Sequence, residues 1–305
     1  MFSKILKTTI MKTLLQEYPI PFSSEEVSKK VREAKQLAAK AFTAENLKLA
    51  FSLIDLTTLN STDTLAKGRK FAENVNTFSI KYPGIPSVAA ICVYPPLVKA
   101  VAESLHVKGV GIASVAAGFP SSQTYLNVKM MECQQAVVDG ATDIDIVISL
   151  GTWLAGDYQT VYHEVKTIKE VIGKAHLKVI LETGALATVE HIWNASIVSI
   201  AAGADFIKTS TGKIEPAATP EAVYIMSEAI AAFQKETGKK TAIKPAGGMV
   251  TSQDALLYIS IVKMVLGNDW MNPQLFRLGA SRLANNLVKD IIKLETGNEV
   301  EVNHF

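Results

Sequence analysis

The sequence predicts a single (β/α)8 barrel, an α/β fold of the TIM-barrel class, with one extra helix before it. From residue 50 onward, short β-rich runs alternate with longer segments of helical periodicity, a pattern typical of parallel strands joined by helices. Eight such runs fit in a chain of 305 residues, the length of one barrel with short extensions. An open doubly wound sheet is the competing fold, but the first run lacks the glycine-rich turn that follows the first strand in such sheets.

Composition places the chain among folded globular proteins. Hydrophobic residues make up 48% of the chain and charged residues 20%, and the formal net charge is +2 at pH 7. These values exclude intrinsic disorder and give no sign of a basic surface for nucleic acid or membranes. No apolar run is long enough to span a bilayer. The 2 cysteines lack metal-ligand spacing, so we expect buried thiols and no metal site.

Residues 1–45 are expected to form an extension with one amphipathic helix. Ser23 is the predicted N-cap, and Glu26 completes a capping box three residues later. Apolar residues then recur at helical spacing: Val27, Val31, Ala34 and Ala38. The lysine-bearing start of the chain resembles a weak transit segment, but it lacks arginine and a cleavage signal. We therefore expect a cytoplasmic location.

The barrel is expected over residues 46–294, followed by a flexible tail over 295–305. The predicted strands read SLIDLTT, SVAAICVY, GVGIASVA, TDIDIVIS, LKVILET, ADFIKTS, TAIKPA and LFRLGAS. Several are nearly continuous in apolar residues, as expected of strands that are covered on both faces. Polar residues at the carboxyl ends of these strands are the candidates for an active site, because barrels of this class place their sites there.

Two lysines lie within predicted strands, Lys208 in the sixth and Lys244 in the seventh. A buried ammonium must be paired, solvated or deprotonated, so one interpretation is that each lysine has a structural carboxylate partner. On neighbouring strands, however, each cation disfavours the charge of the other, and burial acts in the same direction. One lysine could then be neutral at pH 7 and condense with a carbonyl as a Schiff base. Spacing alone does not say which lysine is the nucleophile.

Two carboxylates complete the predicted centre. Asp145 lies in the fourth strand, and alternation places Asp143 on the same face. Asp145 is either a general acid/base beside the iminium or a counter-ion of a lysine. Asp55 ends the first strand, where it could accept a hydrogen bond from a substrate hydroxyl or from backbone groups.

Glycines and hydroxyls follow the last three strands. The segment TSTGK ends at Lys213, Gly247 and Gly248 follow the seventh strand, and Ser281 follows the eighth. The loops after strands seven and eight bind phosphate in many barrels, through backbone N–H groups and a helix N-terminus. The sequence therefore predicts a phosphorylated substrate, with Lys213 and Arg282 as additional cations.

These motifs resemble, in order, those of the 2-deoxyribose-5-phosphate aldolase family. The similar segments are IDLTTLN, AAICVYP, DIDIVIS, LKVILETG, AGADFIKTSTGK, KPAGG and FRLGAS. AGADFIKTSTGK followed by KPAGG is a highly specific combination. The resemblance implies a class I aldolase on a (β/α)8 barrel that cleaves 2-deoxy-D-ribose 5-phosphate to acetaldehyde and D-glyceraldehyde 3-phosphate. It implies neither a metal nor an organic cofactor.

The resemblance also implies roles for single residues. Lys208 becomes the Schiff-base lysine, Lys244 the cation that lowers its pKa, and Asp145 the proton-transfer group. Residues implied near the sugar are Asp55, Thr57 and Cys92; those implied near the phosphate are Thr211, Lys213, Gly247, Gly248 and Ser281. Two positions depart from the family pattern. Phe305 stands where many members have a tyrosine that assists protonation, and Arg282 stands where a second serine often follows Ser281, which suggests tighter phosphate binding.

Two alternatives stay open. Another Schiff-base sugar-phosphate aldolase or a transaldolase would use the same lysine chemistry, and a low-activity binding or scaffold homologue would not turn over substrate. The expected partner is a small phosphorylated sugar, and neither nucleic acid nor a membrane is expected. The oligomeric state is left open by the sequence, with a homodimer as one option.

Overall fold

A computed structural model describes residue 11 and residues 13–305. The expectation about a transit-like segment therefore lies largely outside the described residues. Within them, the structure confirms the predicted (β/α)8 barrel. No helix in the described part of the chain combines the length and the apolar character needed to cross a membrane.

Each predicted run contains one strand. The strands are β1 Ile54–Thr57, β2 Ala90–Val93, β3 Gly111–Val115, β4 Asp143–Val147, β5 His176–Ile180, β6 Phe206–Lys208, β7 Ala242–Lys244 and β8 Leu278–Ala280. They pair in parallel in the order β7-β6-β5-β4-β3-β2-β1-β8. Parallel bridges from Ile243 to Phe276 and from Ala246 to Gly279 join β7 to the segment of β8 and close the barrel.

Helices surround the strands. They are α1 Ser24–Lys40, α2 Ala44–Ser52, α3 Leu65–Lys81, α4 Val98–Ser104, α5 Leu126–Val138, α6 Leu150–Leu154, α7 Tyr158–Ile172, α8 Thr183–Leu186, α9 Val189–Ala201, α10 Pro220–Thr237, α11 Ser252–Leu266 and α12 Arg282–Thr296. Most N-caps are threonine, serine or aspartate side chains that accept a hydrogen bond from a backbone N–H of the first turn. The helix starts are therefore encoded locally.

Helix α1 begins at the N-cap that the sequence predicts. Glu26 N donates to Ser23 Oγ over 3.3 Å and Ser23 N donates to Glu26 Oε2 over 2.7 Å, which completes the capping box of α1. The buried face of α1 packs against α10 and α11. The structure adds α2, which spans the predicted boundary at residues 45 and 46 and leads directly into β1.

Strand alternation divides apolar from charged side chains. Residues such as Ile54, Leu56, Ile144 and Ile146 are buried in the main apolar core, which lies between the strands and the helices. Their neighbours in sequence point the other way, into the barrel. Branched apolar side chains usually fill a barrel of this class. Here the interior of the barrel holds a set of charged side chains instead, and it positions the site.

Candidate active site

Seven charged side chains contact one another inside the barrel, and we call them the interior ion cluster. Its members are Asp55, Asp143, Asp145, Lys178, Lys208, Lys244 and Arg277. All are buried. They come from strands β1, β4, β5, β6 and β7 and from the residue just before β8. Burial of so many charges is tolerated because each has an oppositely charged neighbour.

The two lysines predicted to lie side by side do so. Lys208 and Lys244 are partners in the register of β6 and β7. Each Nζ lies 2.8 Å from the same atom, Oδ2 of Asp145. Lys244 Nζ also lies 2.5 Å from Oδ2 of Asp55. The arrangement therefore brings together the four residues that the sequence analysis placed at its centre or beside it.

Two members of the interior ion cluster were missed in the sequence. Lys178 Nζ lies 2.7 Å from Asp143 Oδ1 and 3.3 Å from Asp145 Oδ1. Arg277 Nη1 lies 2.6 Å from Asp55 Oδ1. Both cations lie in predicted strand runs, LKVILET and LFRLGAS. The cost of burying a charge in a strand, which identified Lys208 and Lys244 as candidates, applies to them equally.

A count of the charges indicates which of the four basic side chains loses its proton most easily. Four cations face three carboxylates, so full protonation would leave one uncompensated positive charge in the barrel. Arginine does not deprotonate in proteins. Lys178 and Lys244 each contact more than one carboxylate, whereas Lys208 contacts Asp145 alone and shares that oxygen with Lys244. Lys208 is thus the cation whose proton is held least strongly.

The pKa shifts agree with this count. Burial lowers the pKa of Lys208, and the charge of Lys244 lowers it further, against the opposing effect of Asp145. Burial would also lower the pKa of Lys244, but Asp145 and Asp55 outweigh burial and raise it. Burial would raise the pKa of Asp145, yet Lys178, Lys208 and Lys244 hold it well below its ordinary value. The centre is therefore an ionised Asp145 between a charged Lys244 and a readily deprotonated Lys208.

A cavity of about 560 Å³ opens at the carboxyl ends of the strands, and Lys208 is part of its wall. Seven of the predicted substrate-binding residues also line it: Thr57, Thr211, Lys213, Gly247, Gly248, Ser281 and Arg282. Asp145 and Lys244 are not in the wall but lie behind Lys208, in contact with its partners. The amine is therefore open to a ligand on one side and to the interior ion cluster on the other.

Two predicted sugar contacts, Asp55 and Cys92, lie outside the wall of the cavity. Asp55 is fully buried, with one oxygen beside Arg277 and the other beside Lys244. Burial would raise its pKa, but Lys244, Lys178 and Arg277 lower it to about 2. Cys92 is also fully buried and packs in a small apolar cluster, and burial raises the pKa of its thiol. In this structure both residues support the centre from behind.

Glycines and a helix N-terminus form the far end of the cavity. Gly247 and Gly248 have φ angles of 82° and 77°, in the left-handed region. A Cβ on Gly247 would lie 2.8 Å from Cβ of Ala217, so a larger residue does not fit there. Helix α12 begins beside them with Ser281 as its N-cap, and exposed N–H groups at such a terminus favour an anion.

The loop after β6 is tied to two other loops. Lys213 Nζ donates to the backbone oxygen of Leu59 over 2.6 Å. Thr211 Oγ1 donates to Glu182 Oε2 over 2.6 Å, and Thr211 N donates to Glu182 Oε1 over 3.1 Å. Glu182 is fully buried and has a φ of 56°, in the left-handed region. Glu182 was not among the predicted site residues. The only indication of it in the sequence is an acidic residue at the carboxyl end of the predicted strand run LKVILET.

The end of the described chain folds back against the cavity. Phe305 is part of the cavity wall, and its ring stacks on Phe78 with 5.4 Å between ring centres. Asn285 Nδ2 donates to the backbone oxygen of Phe305 over 2.9 Å. The segment expected to be a flexible tail is thus placed with its last residue beside the site, and that residue carries no hydroxyl.

The carboxylates of the site are occupied by cations. Asp55, Asp143 and Asp145 each lie within ion-pair distance of at least two lysine or arginine groups. Across the described residues, no group of three or more His, Cys, Asp or Glu side chains is arranged to hold a metal ion. The carboxylates of the barrel interior are therefore engaged by side-chain cations.

Comparison with known proteins gives a consistent family. The family described as DeoC/LacD family aldolase matches residues 49–265. The human deoxyribose-phosphate aldolase is 39% identical over 281 residues, which cover 87% of this chain and 86% of that protein. The mouse deoxyribose-phosphate aldolase is 39% identical over 276 residues, with 87% and 86% covered. The resemblance seen in the motifs is confirmed at this level.

A solved structure agrees with the sequence comparisons. It is described as the unique tetrameric structure of deoxyribose phosphate aldolase from Aeropyrum pernix, and it aligns with a TM-score of 0.64 at 25% identity. The alignment covers 88% of this chain and 99% of that one. The chain belongs to the DeoC/LacD family of aldolases.

Proposed function

We propose that this protein is a class I aldolase that reversibly cleaves 2-deoxy-D-ribose 5-phosphate to acetaldehyde and D-glyceraldehyde 3-phosphate. The observation that carries the proposal is the placement of Lys208, which faces the cavity while sharing one oxygen of Asp145 with Lys244. A neutral lysine amine is the nucleophile that class I chemistry needs. Membership of the family and the names of the human and mouse relatives support the same reaction.

The cavity offers a place for each end of this substrate. Lys208 lies at the end where an aldehyde carbon can reach the amine. Lys213, Arg282 and the first turn of α12 lie around the glycine end, where cations and free N–H groups suit a phosphate. A volume of about 560 Å³ is sufficient for a five-carbon sugar phosphate. Thr57, in the wall after Asp55, offers a hydroxyl to the sugar.

The first half of the proposed reaction forms the iminium. The neutral amine of Lys208 attacks C1 of the open-chain aldehyde and gives a carbinolamine. Asp145 is an ionised carboxylate, so it enters the cycle as a proton acceptor for the nitrogen. Asp145 then returns this proton to the carbinolamine hydroxyl, which leaves as water. The positively charged iminium stays beside the restored carboxylate of Asp145, whose negative charge stabilises it.

The second half breaks the bond between C2 and C3. The iminium draws the electron pair of that bond onto C2 and forms an enamine, and C3 becomes the aldehyde carbon of D-glyceraldehyde 3-phosphate. Asp145, through a water molecule, accepts the proton of the C3 hydroxyl and then returns a proton to C2. Protonation of the enamine at C2 regenerates an iminium. Water hydrolyses it to acetaldehyde and restores the amine of Lys208.

The proposal is tested by trapping the covalent intermediate. Incubation with acetaldehyde and borohydride should add an ethyl group to Lys208, located by peptide mass mapping. Lys208→Leu should abolish both trapping and cleavage of 2-deoxyribose 5-phosphate. Lys235→Met, on the exposed face of α10, is the matched control and should leave both unchanged. Labelling at another lysine, or full turnover by Lys208→Leu, would overturn the proposal.

Product analysis separates the alternatives. Release of acetaldehyde from 2-deoxyribose 5-phosphate distinguishes the proposed reaction from that of another sugar-phosphate aldolase or of a transaldolase. A binding or scaffold homologue would release nothing. We also propose a cytoplasmic location and a homodimer, which cell fractionation and analytical ultracentrifugation measure.

A further inference from the structure

Arg277 is a buried member of the interior ion cluster that is absent from the wall of the cavity. Its Nη1 lies 2.6 Å from Asp55 Oδ1, and its Nη2 lies 4.0 Å from Asp143 Oδ1. The guanidinium carbon lies 5.6 Å from the centre of the Phe206 ring. Phe206 is two residues before Lys208 in β6, so Arg277 lies one layer of side chains further from the cavity than Lys208.

Burying the charged guanidinium of Arg277 costs free energy, so its presence in the barrel interior needs a physical explanation. A guanidinium keeps its proton even when it is buried, so Arg277 is a fixed positive charge. A lysine at this position could remove the excess positive charge by losing its proton, whereas Arg277 cannot. Because it does not reach the cavity, it does not touch the substrate.

We propose that Arg277 is a positioning residue that fixes the charge surplus of the interior ion cluster at one and so makes Lys208 its neutral member. This inference rests on the proposed function, because it concerns the readiness of the Schiff-base lysine. Arg277 takes one oxygen of Asp55 and Lys244 takes the other, so Lys244 shares that carboxylate with a fixed cation and also contacts the Asp145 oxygen that Lys208 uses. Without Arg277, three carboxylates would balance three protonated lysines, and Lys208 could keep its proton.

The other groups around Lys208 do not cancel this effect. The charged and titratable groups around Lys208 are Asp145 and, through Lys178, Asp143 from β4, Lys178 from β5, Lys244 from β7, Asp55 from β1, Cys92 from β2 and, in the cavity, Lys67, Lys213 and Arg282. Burial raises the pKa of the Cys92 thiol, so it adds no charge at neutral pH. Glu182 is engaged by Thr211 and makes no ion pair among the described residues.

Asp143 provides the opposite perturbation. Its Oδ1 lies 2.7 Å from Lys178 Nζ, which also lies 3.3 Å from Asp145 Oδ1. Neutralising Asp143 would raise the surplus to two and turn Lys178 towards Asp145, in competition with Lys208. Removal of Arg277 and removal of the Asp143 charge should therefore move the proton affinity of Lys208 in opposite directions.

The test measures the pH midpoint for borohydride trapping of acetaldehyde at Lys208 in the full-length chain. Arg277→Gln should raise the midpoint by about one unit, a tenfold loss of neutral amine below it. Asp143→Asn should lower it. Arg277→Lys can carry the charge but can also lose it, so its midpoint should lie between those of the unmodified chain and of Arg277→Gln. A role confined to folding would change the yield of trapped protein and leave the midpoint in place.

The possible results separate a failure of the inference on Arg277 from a failure of the proposed function. Unchanged midpoints in Arg277→Gln and Asp143→Asn, or shifts in the same direction, would overturn the inference while leaving the proposed function standing. If Arg277→Gln does not fold, the shift in Asp143→Asn alone supports or refutes the charge argument. If the unmodified chain does not trap acetaldehyde, the proposed function fails, and the pH dependence of acetylation of Lys208 by acetic anhydride then gives the midpoints without any substrate.

Discussion

At the scale of single residues, the site depends on one oxygen atom that accepts from two amines. Asp145 Oδ2 lies 2.8 Å from Lys208 Nζ and 2.8 Å from Lys244 Nζ. Lys244 has Asp55 as a second carboxylate, so it stays charged, and Lys208 has none. Two identical side chains on adjacent strands thereby have pKa values shifted in opposite directions, because their partners differ.

Lys244→Met should reduce activity at pH 7 by about 10²–10³-fold while the protein still folds. Loss of this cation gives Lys208 sole use of Asp145 Oδ2 and raises the pKa of Lys208. Because the reaction needs the neutral amine, which is present above that pKa, the acid limb of the kcat/KM profile should move to higher pH. Lys244→Arg keeps a charge and should move the limb less. A profile that falls in height without moving would contradict this account.

Phe305→Tyr should speed protonation of the enamine. The Phe305 ring is part of the cavity wall, and a phenolic hydroxyl placed there could donate a proton that phenylalanine lacks. The measurement is the rate of deuterium exchange into acetaldehyde in D2O, with Phe305→Leu as the control that changes the ring without adding a donor. No gain in exchange for Phe305→Tyr would count against a protonating role at this position.

Arg282→Ser should raise KM for the phosphorylated substrate about tenfold and leave kcat nearly unchanged. Arg282 is exposed at the first residue of α12 and lines the cavity, so its charge is available to the phosphate. Unphosphorylated 2-deoxyribose serves as the control substrate, since its KM should not depend on this charge. An equal KM for the phosphorylated substrate in both proteins would show that Arg282 points elsewhere.

At the scale of elements, the ends of β6, β7 and β8 form one edge of the cavity because parallel strands bring their carboxyl ends together. Each strand is short, and the loop that follows it supplies the ligand-facing residues. The loop after β7 requires glycine for two reasons: its φ is positive at Gly247, and a Cβ there would collide with Ala217. The loop after β7 therefore turns sharply at Gly247 and also passes close to Ala217.

Gly247→Ala should weaken phosphate binding, and Gly267→Ala should not. Both glycines have a positive φ, 82° and 83°, so an alanine is strained at both positions. Nothing lies within 4 Å of a Cβ at Gly267, whereas one at Gly247 would lie 2.8 Å from Ala217 Cβ. We expect each variant to lose about 1 kcal/mol of stability, with inhibition by inorganic phosphate lost in Gly247→Ala alone. Equal phosphate inhibition in the two variants would contradict this assignment.

At the scale of the whole molecule, the barrel interior is ionic, and its stability should depend on pH. The pKa of Asp55 is lowered from 3.8 to about 2 in the folded protein. The unfolded chain therefore binds more protons between these values, so stability present above about pH 4 is lost as the pH falls towards 2. Asp143 and Asp145, whose pKa values are also lowered, act in the same direction.

Asp55 alone should contribute about 2 kcal/mol to this loss in the free energy of unfolding. Urea unfolding at pH 5, 4, 3 and 2 measures it, with about half of the loss expected by pH 3. Asp55→Asn should be less stable than the unmodified chain at pH 7, because Lys244 and Arg277 lose a partner. It should also lose less on acidification, because the titrating group is gone. Parallel pH dependences for the two proteins would reject the contribution assigned to Asp55.

The periodicity of the sequence determined the barrel, since each of the eight predicted runs contains one observed strand. It also determined that Lys208 and Lys244 would lie on neighbouring strands, because consecutive strands of a (β/α)8 barrel pair with each other. Lys178 and Arg277 obey the same rules, but they lie before the carboxyl ends of their strands, where barrel sites are expected, and so no role was predicted for them. The loop glycines were predicted as a group, because they follow consecutive strands.

Only the tertiary structure decided how the charges are shared. Lys244 reaches a second carboxylate and Lys208 does not, so Lys208 is the lysine that loses its proton more easily. The second carboxylate is Asp55 from β1, far away in the chain. The positions of Asp55 and Cys92 behind the cavity wall, and that of Phe305 in it, depend in the same way on contacts between distant segments. Electrostatic energy depends on distances in space, and a sequence pattern fixes those distances only within a strand or between paired neighbours.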